Sequence, residues 1–208
     1  MRPESETGRR RLLTFLGGAL AMFGLARSAQ ANAADATPVT RESADLDRLA
    51  AAAARQEIME LRHAYGMATD LIGSNKDENV AAGLAIYRRI FIADARIGAA
   101  GIDPVGGPDA WAGVVRKALA PYAATQHLIG TQQVTDLQMP DPNGVGGSAR
   151  MTSYLQAWHS TAEGDLWLYM GTYEDELVHG EGSGWQIARM MLHQTAADYR
   201  KLGRAPGG

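Results

Sequence analysis

The hydrophobic pattern changes period once along this chain, near Ala123, and that switch constrains the fold more than any single motif. Upstream, apolar residues recur at three-to-four spacing; downstream they fall into short alternating runs. A helical period followed by a strand period predicts an α+β domain, with helices laid over one face of an antiparallel meander. The other sheet face is then free to be solvated or to pair with a second copy.

Individual elements follow from local chemistry. The segment from Ser43 to about Leu71 is rich in Ala, Leu, Arg and Glu, lacks Pro, has no Gly before Gly66 and opens on a capping-type Ser, which predicts a long helix. Leu49, Ile58, Leu61, Tyr65 and Ala68 form its apolar stripe. Gly73 to Asn79 reads as a polar break, Val80 to Ile92 as a second helix, and Asp94 to Ile97 as the start of a strand. Asp109 to Tyr122 reads as a third helix with Pro108 near its start. Strands are expected over Thr125–Leu137, Ala149–Ser160, Leu166–His179 and Gly184–Thr195, separated by the turn-forming runs PDPNGVGG, TAEGD and GEGSG.

The first residues have a different character. Arg9-Arg10-Arg11 precede a glycine-diluted apolar run, Leu12 to Leu25, which Arg27 closes before it reaches the roughly 20 residues that span a bilayer. Ala29-Gln30-Ala31 and Ala31-Asn32-Ala33 are overlapping cleavage-type sites. Arg9-Arg10 with Leu12-Leu13 resembles a twin-arginine export signal, although Gly8 stands where Ser or Thr is usual, and an ordinary secretory signal is the alternative. The expected organisation is a signal over residues 1–31 cut near Ala31 or Ala33, a flexible leader over 32–44, one domain over 45–200 and a disordered tail over 201–208, in a periplasmic or otherwise exported protein. Removing residues 1–31 takes five of the 20 basic and two of the 23 acidic residues, leaving 15 against 21, a formal charge of −6. An acidic chain without basic clusters predicts no nucleic-acid partner and no membrane association of the mature form. The chain has no cysteine, so disulfides and thiolate metal sites are excluded.

Arg189 stands out on its own chemistry. In WQIARMML one strand face carries Trp185, Ile187, Arg189 and Met191, the other Gln186, Ala188, Met190 and Leu192, and neither is polar. An arginine there must find a partner or face a cavity, because burying an unpaired charge is costly. A structural ion pair, with Glu174 or Asp175 as partner, and a donor to a substrate anion are both open. The run Glu174-Asp175-Glu176 alternates along a strand, so at most one or two of its side chains turn inward. His63 reads as solvated, and His159, His179 and His193 sit near strand ends. Neither HExxH nor His-x-His occurs and no nucleotide-binding motif has the right flanks, so no metal and no cofactor are expected.

The order of Tyr65 and Asp70 on a helix, Phe91 with Asp94-Ala95, His127 in TQHLIGT, GTYEDELV and finally GWQIARMML resembles the SnoaL-like branch of the nuclear transport factor 2-like superfamily over about residues 50–195. The resemblance implies a cone-shaped curved antiparallel sheet wrapped around N-terminal helices, enclosing one apolar pocket. The link SNKDENVAA looks longer than usual and either extends the pocket rim or decorates the surface. The resemblance further implies a cofactor-independent lyase, a dehydratase or related eliminase, acting on a small cyclic or aromatic hydroxylated substrate, with a small apolar or aromatic molecule as the expected partner. His127 would be the base, Asp70 its orienting partner, Tyr65 a donor to the leaving oxygen and Arg189 the stabiliser of negative charge. Five helical steps place Tyr65 and Asp70 about 140° apart, so spacing alone does not bring them together. Trp111, Tyr154 and Tyr173, with Trp158, are candidate pocket walls, core packing being the alternative. An isomerase of the same fold, or a non-catalytic periplasmic module that binds a ligand or dimerises, stays open; a homodimer or homotrimer is expected.

Overall fold

The computed structural model describes residues 38–201, so the export signal, the start of the leader and the tail beyond Lys201 lie outside the described residues. The chain divides into two units, 1–47 and 48–208. The first contributes only helical turns from Pro38 to the described structure; the sheet and the pocket belong to the second.

Helix α1 runs Pro38–Gly73, so residues 38–44 of the segment read as leader are helical. Ile58, Leu61, Tyr65 and Ala68 are buried as the stripe requires, whereas Leu49 is 67% exposed. The helix does not break at Gly66. A Cβ there would sit 3.3 Å from Ile129 and 3.4 Å from the His127 carbonyl oxygen, so this glycine lets helix and strand backbones approach closely. After Gly73, Asn75 takes φ 56° and turns the chain in the left-handed conformation that asparagine tolerates.

Helix α2 covers Asp77–Ile90 and starts three residues earlier than expected. Asp77 and Glu78 lie in its first turn and Arg88 and Arg89 in its last, complementing the helix dipole, so the last three residues of the polar run read as a break begin the helix. Strands β1 (Phe91–Ala99) and β2 (Ile102–Gly106) form a hairpin, and helix α3 follows over Gly107–Leu119 with Pro108 in its first turn. The remaining chain is β3 (Ala124–Gln138), β4 (Gly147–Ser160), β5 (Leu166–Gly180) and β6 (Gly184–Arg200).

These strands make one six-stranded sheet in the order β2-β1-β6-β5-β4-β3, antiparallel except that β1 runs parallel to β6. Alternation is clearest in β4, where Ala149, Met151, Ser153, Leu155, Ala157 and His159 are buried and Arg150, Thr152, Tyr154, Gln156 and Trp158 are exposed. Bulges bend β3, at the sheet edge, and β6, within it. In β3 two extra residues are accommodated near Thr131 (φ 49°) and Asp136 (φ 51°), and β6 gains one residue at Ala188 and another at Thr195. The core joins α1, α2 and α3 to the inner sheet face through Ile58, Tyr65, Ile72, Tyr87, Phe91, Trp111, Met151, Leu177 and Ile187. Among the described residues no helix is long and apolar enough to cross a membrane.

Candidate active site

The inner face of the sheet and the three helices leave a cavity of about 370 Å³. Its lining includes Tyr65 and Thr69 from α1, Trp111 and Val115 from α3, Tyr122, His127 from β3, Leu155 and His159 from β4, Trp167, Tyr169 and Tyr173 from β5, and Leu192 from β6. Among the described residues no Lys, Arg, Asp or Glu lines it, so the polar chemistry inside rests on imidazoles, phenols, the Thr69 hydroxyl, indole N–H groups and the Gln194 carboxamide.

His127 is positioned from behind. The last turns of α1 lie against the start of β3, where Asp70 Oδ1 is 2.7 Å from His127 Nδ1 and accepts the Thr125 hydroxyl at 3.1 Å. Asp70 Oδ2 accepts the His127 backbone N–H at 3.2 Å. One carboxylate thus holds both ring and backbone of His127. Gly73 makes room for this, since a Cβ there would meet Leu119 and Thr125 at 2.8 Å. The 140° between Tyr65 and Asp70 is also explained: Tyr65 turns into the pocket, whereas Asp70 stands behind His127 and does not line it.

Tyr65 is 2% exposed and its hydroxyl accepts the Trp111 indole N–H at 3.2 Å. Its ring stacks on Tyr87 at 5.3 Å and meets Tyr173 edge-on at 5.5 Å. Tyr87 in turn bonds Thr69 at 2.6 Å, and Thr69 donates to the Tyr65 carbonyl at 2.8 Å. Burial raises the pKa of Tyr65, Tyr87 and Tyr173, so all three keep their protons at neutral pH.

His159 is a pocket residue that the sequence reading set aside as lying near a strand end. It is 3% exposed, its ring is 5.5 Å from that of His127 and perpendicular to it, and Tyr122 and Trp167 flank it at 5.0 and 4.8 Å. Burial, then the neighbouring His127, lowers its pKa to about 4. It is therefore neutral at pH 7. With Nδ1 bonded to the Trp167 carbonyl at 3.3 Å, its Nε2 is left as an acceptor. A signal was available: His159 shares the parity of Leu155 and Ala157, which made it an inward position.

Arg189 requires correction. The bulge at Ala188 pairs Ile187 with Leu177 but Arg189 with Glu176, which breaks the alternation, turning Met190 inward and Arg189 outward. Arg189 donates to Glu176 at 3.2 Å, with the two side chains 42% and 50% exposed. Neither proposed partner, Glu174 nor Asp175, holds it. The inward arginine is Arg62, fully buried on α1 and bonded to the equally buried Asp175. Arg62 lies four residues after Ile58 and three before Tyr65, within the apolar stripe, and that spacing was its signal. Of the aromatic walls, Trp111 and Tyr173 line the pocket, but Tyr154 is 59% exposed on the opposite face. Trp158 lies on that outer face as well.

With this geometry in hand, the chain can be compared with known proteins. A family model described as the SnoaL-like domain matches residues 50–191. A comparison with the curated proteins finds no significant match. Among solved structures, a candidate scytalone dehydratase from Novosphingobium aromaticivorans is 19% identical at TM-score 0.51, covering 73% of this chain and 91% of its own. A type 3 hexachlorocyclohexane dehydrochlorinase from Novosphingobium barchaimii is 16% identical at TM-score 0.57, with 78% and 99% covered. A nuclear transport factor 2-like protein with a cystatin-like fold, also from Novosphingobium aromaticivorans, is 16% identical at TM-score 0.52, with 86% and 92% covered. At these identities the likeness concerns the fold.

Proposed function

The chain belongs to the SnoaL-like domain family, and from that premise we propose that it is a cofactor-independent lyase that eliminates water from a small, neutral, hydroxylated cyclic or aromatic substrate. The observation that carries this reading is the contact of His127 Nδ1 with Asp70 at 2.7 Å inside an apolar pocket. A histidine that gives its Nδ1–H to a carboxylate keeps Nε2 as the proton acceptor, and the carboxylate stabilises the imidazolium that forms.

In the proposed step, Nε2 of His127 takes a proton from carbon and the C–H electrons form the new double bond. The carbon–oxygen bond breaks, and the departing oxygen takes the proton of Tyr65, whose own lone pair is already engaged by Trp111. His127 then gives up its proton and Tyr65 regains one, by way of solvent, which restores both groups before the next turnover. Neutral His159 accepts a hydrogen bond from a substrate hydroxyl. A pocket of about 370 Å³ without charged lining favours a neutral molecule of one or two rings over a carboxylate or phosphate ester.

A non-catalytic module expects Arg189 in an ion pair and His127 apart from Asp70. The first condition holds and the second does not. Isomerisation by the same groups keeps the carbon–oxygen bond: the proton that His127 takes from one carbon is delivered to another, and Tyr65 only donates a hydrogen bond to the oxygen. The test is a panel of hydroxylated cyclic ketones and hydroxylated aromatics, followed by absorbance of the new conjugated double bond. His127→Ala is expected to lower turnover by about 10²–10⁴-fold, and near-full turnover in that variant would remove His127 from the mechanism.

A further inference from the structure

Next to the pocket lies an ion pair that the elimination step does not use. Arg62 and Asp175 are fully buried and bonded to each other. Replacing such a pair by packed apolar side chains is often neutral or stabilising, so stability is a weak reason to keep it. Its surroundings suggest a different one. The Arg62 guanidinium carbon lies 4.1 Å from the ring centroid of Tyr173 and 4.7 Å from that of Tyr65, and both phenols line the pocket.

The bonding of Arg62 is also incomplete. Its Nη1 meets the weakly accepting sulfur of Met190 at 3.3 Å, and among the described residues neither its Nε nor Asp175 Oδ2 has a hydrogen-bond partner. Polar saturation has therefore not been the design, whereas contact of the cation with two phenol faces has been achieved. Because Tyr65 accepts from Trp111, its own proton is free to be donated.

We propose that Arg62 is a positioning residue acting through charge: a fixed cation beside the pocket that makes the hydroxyls of Tyr65 and Tyr173 stronger donors to a substrate oxygen gaining negative charge, such as an enolate or phenolate. The arrangement brings positive potential to the pocket without placing a cation in it, which fits a lining free of Lys and Arg. Burial makes both phenols harder to ionise, and Arg62 opposes burial at both. At Tyr173 it outweighs the opposite influence of Asp175. The inference does not depend on elimination, because an oxygen-stabilising pair of phenols serves isomerisation or ligand binding equally.

The probe is 4-nitrophenol, whose ionised form is coloured, bound to the full-length protein at fixed pH. The wild type is expected to shift the bound probe toward phenolate. In Arg62→Met/Asp175→Leu, which removes the charges and keeps the volume, the ionised-to-neutral ratio should fall about tenfold, while Arg62→Lys keeps most of it. Asp175→Asn removes the opposing charge, at a cost in stability, and should raise the ratio where it folds; Arg62→Lys, which keeps the ion pair, carries the test if the double variant does not fold. A structural role predicts the reverse, with the packed double variant unchanged and the lysine variant impaired. Equal ratios in wild type and the folded double variant, a lower ratio in Asp175→Asn, or no spectral change on mixing with wild type would overturn the proposal. Repeating the set with His127→Gln separates it from the lyase reading: the dependence on Arg62 persists there whatever happens to turnover.

Discussion

Along β4, Leu155, Ala157 and His159 face the pocket while Tyr154, Gln156 and Trp158 face solvent, so two environments are written in alternate residues of one strand. The same contrast holds for charge. On the inner side Arg62 and Asp175 form one fully buried pair, whereas the outer side carries Arg189–Glu176 and His193–Glu174, each about half exposed. Water decides what these pairs do. Outside, screening makes an ion pair nearly neutral to stability; inside, a single unpaired charge is expensive and its field reaches the neighbouring phenols.

That difference can be broken in order of effect. Asp175→Ala leaves Arg62 buried without its carboxylate and should cost about 3–5 kcal/mol in chemical denaturation; a loss near that of a surface pair would mean that water reaches Arg62. Asp70→Asn keeps the shape behind His127 but removes the charge that stabilises its cation. Turnover should fall on the order of 10²-fold, with little change in Tm. Gly83→Ala is next: the added Cβ would meet the Ala68 carbonyl oxygen and Ile72 at 2.7 Å, where α2 crosses α1, and should cost about 1–3 kcal/mol.

The pH dependence of stability sharpens the inner side further. The folded pKa of His159 is about 4, below its ordinary 6.5, so the unfolded chain takes up a proton first as the solution is acidified. Its contribution is complete above pH 6.5 and is lost as pH falls toward 4. The Tm of the wild type should therefore drop more steeply across that window than the Tm of His159→Gln. At the small end, Arg189→Ala on the outer face should cost less than about 1 kcal/mol and leave turnover within twofold; a large loss of activity would bring the outer face into the chemistry.

Much of this was legible in the pattern of residues. The period switch near Ala123 placed three helices before four long strands, and those elements occur within a few residues of their expected ends. Tyr65, Trp111, His127 and Tyr173 line one pocket, with Asp70 behind His127. The misplacements have different causes. Arg189 was assigned by strict alternation, which a bulge at Ala188 shifts by one residue, and no side-chain signature marks that bulge. Tyr154 has the parity opposite to that of Leu155, so the unbroken alternation of this part of β4 turns it to solvent. Arg62 and His159 were readable from helical spacing and strand parity, but a charge inside an apolar stripe makes sense only once its partner, Asp175, arrives from more than a hundred residues away.

The central claim is that the inner face holds a base prepared by its carboxylate before substrate arrives. The most direct measurement is the tautomer of the His127 ring by ¹⁵N NMR, at a pH where the imidazole is neutral. The account predicts a single tautomer with the proton on Nδ1 and a bare Nε2, lost in Asp70→Asn. A proton on Nε2, or a ring averaging between tautomers in the wild type, would contradict it.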